Sequence, residues 1–310
     1  MAVTLPADVL RRYARFTLYN SPFAAHDRGC AVDLYPGDPT GPDPQDGPPV
    51  DAPSPVAGEV LDTKTVTAPA KPYAAERDHL ILVDTGAGGG PVVETPAGEP
   101  AVARILHVDP AVAAGDRVAV GDSLGTLVRA GFFAPWVADH LHLGFRPPDA
   151  NCYRAAGSLP LSVDPSLRVE SLVWDGTGRV VAAGETYAVL DAPAHPDPGN
   201  CFAGLAATDA DGRTLGVLDG GLPHYAGGGL LTSGGASSPV HLADQRVGTV
   251  DGDSGRGRDV AWDDLTVLAN GEPVTGVALA VGRDSAGVEL VGENASLPVG
   301  TEVTVEIRPE

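Results

Sequence analysis

The sequence has few cysteines and no long apolar run. Three cysteines among 310 residues are too few for a disulfide framework, and an odd number is typical of a reducing compartment. No stretch reaches the roughly 18 consecutive apolar residues that a transmembrane helix needs. Arg11, Arg12 and Arg15 interrupt the N-terminal segment in which a signal peptide would have its apolar core. We therefore expect a soluble, cytoplasmic protein.

Basic residues are also scarce. The chain has 20 lysines and arginines against 41 aspartates and glutamates, which leaves a net charge of −21. Such a surface repels phosphate backbones and anionic lipids, so nucleic-acid and membrane partners are excluded. The only lysines are Lys64 and Lys71, and aspartate outnumbers glutamate. This acidic composition is typical of a halophilic protein, because molar salt screens the repulsion between surface carboxylates.

Long helices are not expected, since 40 glycines and 29 prolines are spread through the chain. The pattern predicts one helix near Ala7–Phe16 and otherwise a mainly β fold in two domains, residues 1–162 and 163–310, with a break near Pro160 and Pro165. The second domain is expected to resemble a β-sandwich, and its role stays open. In the first domain, strands are predicted at Cys30–Tyr35, Gly58–Lys64, His79–Asp84, Ala101–Val108, Arg117–Val120, Gly125–Arg129 and His140–Arg146.

Two segments of the first domain combine histidine and aspartate. His26 precedes Asp33 by seven positions, and Asp33 lies in an alternating strand pattern. Further along the chain, His140 and His142 are two apart on a predicted strand, so they project side by side while Leu141 and Leu143 face the core. Two imidazole nitrogens and one carboxylate oxygen form a donor set that binds Zn²⁺ and leaves a fourth position open, as in catalytic sites.

These segments carry a family resemblance. The pattern His26-x-x-Gly29-x-Ala31-x-Asp33 resembles the first zinc motif of D-Ala-D-Ala carboxypeptidases, and His140-x-His142 resembles the corresponding strand of lysostaphin-like (LytM-type) endopeptidases. Both belong to the LAS superfamily of zinc metallopeptidases. The segments between them, residues 49–60 and 112–125, are similar to the lysostaphin-type core. The resemblance covers residues 23–145 and implies a lysostaphin-like domain with a barrel-sandwich or antiparallel sheet.

The resemblance also implies roles for individual residues. His26, Asp33 and His142 would be the zinc ligands, His140 the catalytic histidine and His107 the second active-site histidine. The spacing of the first motif departs from the lysostaphin type, in which the ligand precedes the aspartate by four positions. That position is Gly29, which has no side chain. Either His26 reaches the metal from a longer loop or the site is incomplete, with Cys30 as a poor substitute.

The function that follows is zinc-dependent hydrolysis of an amide bond in a peptide or peptide-like substrate. In this scheme a metal-activated water attacks the carbonyl, His140 accepts a proton and His107 donates a hydrogen bond to the oxyanion. The alternative is a catalytically degenerate domain that serves as a binding or structural module. A biotinyl or lipoyl carrier is disfavoured, because Lys64 lacks the residues that flank a modified lysine.

Overall fold

The computed structural model of the chain describes residues 2–37, 48–87, 93–231, 238–250 and 258–310. The described residues form two compact units. The first comprises Met1–Ala14 and Cys30–Asp164, and the second comprises Arg15–Gly29 and Pro165–Glu310. Within these ranges no helix is both long enough and apolar enough to cross a bilayer. The prediction of a mainly β protein with two domains is confirmed.

The first half of the chain contains one short α-helix, α1 (Ala7–Leu10), and a 3₁₀ turn at Asp27–Gly29. Its strands are β1 (Val3–Leu5), β2 (Arg15–Thr17), β3 (Ala31–Tyr35), β4 (Asp51–Pro53), β5 (Gly58–Thr67), β6 (Arg77–Asp84), β7 (Val102–Leu106), β8 (Val108–Pro110), β9 (Arg117–Val118), β10 (Ser123–Leu127), β11 (Leu141–Arg146) and β12 (Leu161–Val163).

The second half is built from strands alone in its described part. They are β13 (Val169–Leu172), β14 (Thr177–Ala183), β15 (Tyr187–Leu190), β16 (Phe202–Thr208), β17 (Thr214–Leu222), β18 (Gly227–Leu231), β19 (Ser238–Leu242), β20 (Gln245–Val250), β21 (Arg258–Trp262), β22 (Leu265–Ala269), β23 (Glu272–Val274), β24 (Gly276–Leu279), β25 (Val281–Gly282), β26 (Val288–Val291) and β27 (Glu302–Pro309).

The predicted helix is wrong in length. It was expected over Ala7–Phe16, but α1 ends at Leu10 and the chain is already extended at Arg15. Leu10, Tyr13 and Phe16 are all fully buried. Strand pairing is the physical reason for the difference, because β2 forms a ladder with β25 in which Arg15 and Phe16 oppose Gly282 and Val281. Non-local pairing thus overrides the local helical pattern.

The main sheet of the first unit is antiparallel, with strand order β9-β5-β6-β7-β11-β3. One face of this sheet forms an apolar core, since Ile81, Ile105, Leu141 and Leu143 are at most 1% exposed. The expected inward orientation of Leu141 and Leu143 is therefore confirmed. Because strand residues alternate between faces, the opposite face carries the polar side chains of β3 and β11.

The second unit contains a closed barrel of six strands, in the order β16-β17-β18-β21-β20-β19 and back to β16. Closure leaves no free edge within the ring. The barrel is filled by buried aliphatic residues such as Leu218, Leu230, Val240 and Val260. Strands β24, β26, β15, β14 and β27 continue outward from β17 as an antiparallel sheet.

Candidate functional site

Asp33 and His142 meet as direct cross-strand neighbours. The antiparallel ladder between β3 and β11 sets Asp33 opposite His142, so both side chains stand on the same face of the sheet. The Nδ1 atom of His142 lies 2.9 Å from Oδ1 of Asp33. Both residues are buried, with 7% and 3% of their surfaces exposed. Register alone thus places one imidazole nitrogen and one carboxylate oxygen side by side.

His140 contacts the other oxygen of the same carboxylate. Its Nε2 atom lies 3.4 Å from Oδ2 of Asp33. Its Nδ1 atom lies 2.9 Å from the carbonyl oxygen of Ala138, which can only accept a hydrogen bond. The hydrogen of the neutral ring is therefore on Nδ1, and the lone pair on Nε2 faces Asp33. Burial lowers the pKa of His140 to about 4, although the Asp33 carboxylate opposes that shift.

His107 lies at a break in the ladder. The sequence predicts one strand over Ala101–Val108, but β7 ends at Leu106 and β8 begins at Val108, because His107 adopts a left-handed conformation with φ of 68°. Such a conformation is costly for a residue with a side chain and persists only where its surroundings enforce it. Here the backbone N–H of His107 donates to Oδ1 of Asp78 at 3.1 Å instead of to a neighbouring strand.

Asp78 holds the ring of His107 as well as its backbone. His107 Nδ1 donates to Oδ2 of Asp78 at 2.7 Å, and Asp78 is fully buried. Burial alone would raise the pKa of Asp78. The charge and hydrogen bond of His107, together with the backbone N–H groups of His79 and His107, hold that pKa below its usual value. Asp78 is thus a buried carboxylate that fixes both the ring orientation and the tautomer of His107.

Aromatic contacts join the three rings into one cluster. The ring centroid of His107 lies 5.3 Å from that of His140 and 5.9 Å from that of His142. Phe133 stacks on His140 at 4.5 Å with an interplanar angle of 12°, and it meets the edge of His107 at 4.6 Å. The backbone before His140 is held by Arg129, which donates to the carbonyl oxygens of residues 134, 135 and 137.

His26 also belongs to this group of potential ligands. One ligand atom from each of His26, Asp33 and His142 lies within 4.8 Å of the other two, so the three side chains could hold a metal ion. The long spacing to Asp33 is accommodated by a turn in which Gly29 N–H donates to the His26 carbonyl at 3.0 Å. Arg28 and Gly29 adopt left-handed φ angles of 57° and 60° in this turn. Gly29 therefore has a conformational role, and His26 provides the side chain.

The tautomer of His26 suits a ligand. Its Nδ1 atom donates to the carbonyl oxygen of Leu18 at 2.9 Å, which leaves the lone pair on Nε2. Leu18 is held in turn by Asp219, whose Oδ2 accepts from the Leu18 N–H at 2.6 Å and whose Oδ1 accepts from the Thr17 hydroxyl. Burial raises the pKa of Asp219 to about 7, against the effect of these donors.

Two family descriptions match the chain. Residues 4–163 match "Domain of unknown function (DUF8155) N-terminal domain", and residues 170–308 match the C-terminal domain of the same family. The chain belongs to the DUF8155 family. Comparisons with curated proteins and with solved structures found no match. All five candidate residues lie in the DUF8155 N-terminal domain.

The donor chemistry of the DUF8155 site fits a divalent transition metal. His26, Asp33 and His142 provide two nitrogens and one oxygen, the set that zinc accepts in sites with an open fourth position. The ring hydrogen on His26 Nδ1 already has a carbonyl partner, as is usual for histidines that ligate a metal. His107 has the same kind of support from Asp78. Cys30, the alternative ligand, is not part of this group of described side chains.

Two contributors to the DUF8155 site were not identified from the sequence as part of it. The sequence did not indicate a role for Asp78, because an aspartate at the start of a strand is usually solvated. Its partner His107 is 29 residues away. Phe133 packs on two of the histidines, His107 and His140. A buried carboxylate needs a hydrogen-bond donor. A strand pattern that places Asp78 in the interior would therefore have indicated that Asp78 has a polar partner.

Proposed function

We propose that the DUF8155 N-terminal domain is a zinc-dependent hydrolase that cleaves peptide amide bonds, of the lysostaphin-like type that the sequence motifs resemble. The observation that carries the proposal is the close approach of the His26, Asp33 and His142 ligand atoms, with His140 and His107 in contact with the same cluster. His26, Asp33 and His142 would hold the zinc. When bound, zinc supplies Lewis acidity that polarises the scissile carbonyl and makes water more acidic.

His140 is the proton acceptor in this proposal. The ring is neutral because it is buried, and the Nδ1 hydrogen bond to Ala138 leaves Nε2 as the basic atom. Phe133 stacks on the ring and limits its rotation, so Nε2 keeps its direction. A correctly oriented base accelerates proton transfer from an attacking water by about 10²- to 10⁴-fold.

His107 is the donor to the oxyanion that develops on the substrate carbonyl. Its Nδ1 hydrogen is committed to Asp78, so donation from Nε2 requires a proton on both ring nitrogens. The Asp78 carboxylate offsets the positive charge of that imidazolium at a distance of 2.7 Å. In other acyl-transfer sites one such donor contributes about 3 kcal/mol to the stability of the transition state.

Metal analysis of the purified full-length chain tests the proposal. We expect about one zinc ion per chain by elemental analysis, cleavage of a peptide mixture followed by mass spectrometry, and loss of both after dialysis against a chelator. Restored zinc should restore cleavage. A folded chain that binds no zinc even when zinc is supplied would instead indicate a binding or structural module.

Replacing Asp78 with asparagine should reduce kcat by about 10- to 100-fold while zinc content stays the same, as expected for a group that orients an active-site histidine. The amide cannot offset an imidazolium charge, and its NH₂ group cannot accept a hydrogen bond from His107. Steady-state kinetics with parallel zinc analysis measure the effect. The control is Asp109→Asn, because Asp109 is exposed and His79 is the histidine that it contacts in the described structure. Equal kcat values in the two variants would contradict the role of Asp78.

A further inference from the structure

A second polar group lies on the same sheet face as His142. In the ladder between β7 and β11, His142 opposes Leu106, Gly144 opposes Arg104 and Arg146 opposes Val102. Residues two apart on a strand share a face, and so do cross-strand partners. Arg104 and Arg146 therefore project from the face that carries His142. Arg104 lies beside Gly144, which follows His142 on this face of β11, and Arg146 is the next residue of β11 on the same face.

Both arginines are buried, and the described residues place no carboxylate in an ion pair with either. Arg104 is 4% exposed and Arg146 is 1% exposed. Neighbouring cysteines raise the pKa of each guanidinium group, against the larger effect of burial. Burial lowers the pKa of Arg104 to about 10, and the charge of Arg146 adds to that shift. Burial also raises the pKa of the Cys152 thiol, so this thiol does not neutralise the pair at pH 7.

The partners of the two guanidinium groups are neutral backbone oxygens. Arg104 Nε donates to the Cys152 carbonyl at 2.5 Å, and Arg146 Nη2 donates to the carbonyls of Arg154 and Ala155 at 2.8 and 3.3 Å. Among the described residues, the buried Nε of Arg146 has no hydrogen-bond partner. Most N–H donors of the pair are thus not used by these bonds.

Ser158 adds an unused hydroxyl at the same place. Because Gly144 has no side chain, Ser158 can approach the strand, and its Oγ lies 2.8 Å from the position that a Cβ of residue 144 would take. That Oγ is buried, and no hydrogen-bond partner for it lies in the part of the chain that the structure describes. The adjacent Gly157 lies against Arg146, since a Cβ there would be 2.6 Å from Nη1. Two cations and one hydroxyl donor therefore share a small region beside His142 on the sheet.

We propose that Arg104, Arg146 and Ser158 form a binding site for a carboxylate group, and that this carboxylate belongs to the substrate cleaved at the histidine cluster. The second part rests on the proposed function. Two buried positive charges are costly unless an anion compensates them, and a carboxylate accepts the paired N–H donors of a guanidinium in matched geometry. The preferred substrates are then peptides with a free carboxylate close to the scissile bond.

Thermal melting of the full-length chain tests the anion site independently of catalysis. Sodium acetate, compared with sodium chloride at equal ionic strength, should raise the Tm of the wild-type chain by at least about 2 °C at saturation. The Arg104→Gln variant should lose the shift. The control variant Arg179→Gln removes an exposed arginine that pairs with Glu302, and it should keep the shift. If acetate raises the Tm no more than chloride does, or if only inorganic phosphate raises it, the carboxylate site is wrong.

Paired peptides test the link to the substrate. Each pair has one sequence with a free C-terminal carboxylate or with a C-terminal amide, and kcat/KM should be at least about tenfold higher for the free acid. The Arg104→Lys variant, which keeps the charge, should reduce this preference because it loses the bidentate geometry. Hydrolysis without such a preference would overturn the substrate link. An acetate shift without hydrolysis of any peptide would leave the anion site in place and reject the proposed function, so the two failures are distinguishable.

Discussion

Replacing His142 with alanine is expected to abolish both stoichiometric zinc and hydrolysis. The imidazole of His142 offers one of three potential ligand atoms that lie within 4.8 Å of one another, and its Nδ1 also contacts the Asp33 carboxylate. Two remaining side chains, His26 and Asp33, cannot retain zinc against dilution and dialysis. Elemental analysis after gel filtration measures the metal content, and peptide cleavage measures the activity.

The matched control for this variant is His79→Ala. His79 is on β6, and its side chain contacts Thr65 and Asp109, outside the histidine cluster. This variant should keep one zinc per chain and full activity. Circular dichroism of both variants separates loss of the metal from loss of the fold, since removing His142 also takes a partner from the buried Asp33. A folded His142→Ala chain that still held stoichiometric zinc would falsify the ligand assignment.

The face of β11 could be predicted from the sequence, but its neighbours could not. Alternation along the strand correctly set Leu141 and Leu143 in the core. The same pattern does not predict which strands pair with β11. Asp33 and His142 are 109 positions apart, and they meet only because β3 and β11 pair in one particular register. A shift of one residue would turn the carboxylate to the opposite face.

His107 shows a different limit of sequence reasoning. Its local sequence, Ile-Leu-His-Val, favours a continuous strand, and the prediction extended from Ala101 to Val108. The backbone instead turns through a left-handed conformation at His107, where the buried carboxylate of Asp78 replaces the ladder partner of the N–H group. That conformation is uncommon for residues other than glycine. Its cause is a tertiary hydrogen bond that no local pattern encodes.

Replacing His140 should reduce activity without loss of zinc, whereas replacing His142 should remove both. In the proposed mechanism His140 is the proton acceptor and is not one of the three metal ligands, so the His140→Ala variant should keep about one zinc per chain. Its kcat should fall by about 10²- to 10⁴-fold, the usual contribution of a general base. KM should change less than kcat, because the lost interaction is with the reacting proton. Zinc analysis and steady-state kinetics on the same preparation measure both quantities.

Truncation at His140 leaves a space beneath Phe133, so a structural loss must be separated from a chemical one. His140→Gln is the suitable second variant, since a planar amide can remain under the Phe133 ring that stacks on His140 at 4.5 Å. The amide cannot accept and release a proton near neutral pH, so this variant should be as slow as His140→Ala. If either variant kept kcat within about tenfold of the wild-type value, His140 would not be the base. Loss of zinc from both folded variants would instead make His140 a ligand, because its Nε2 already lies 3.4 Å from Asp33.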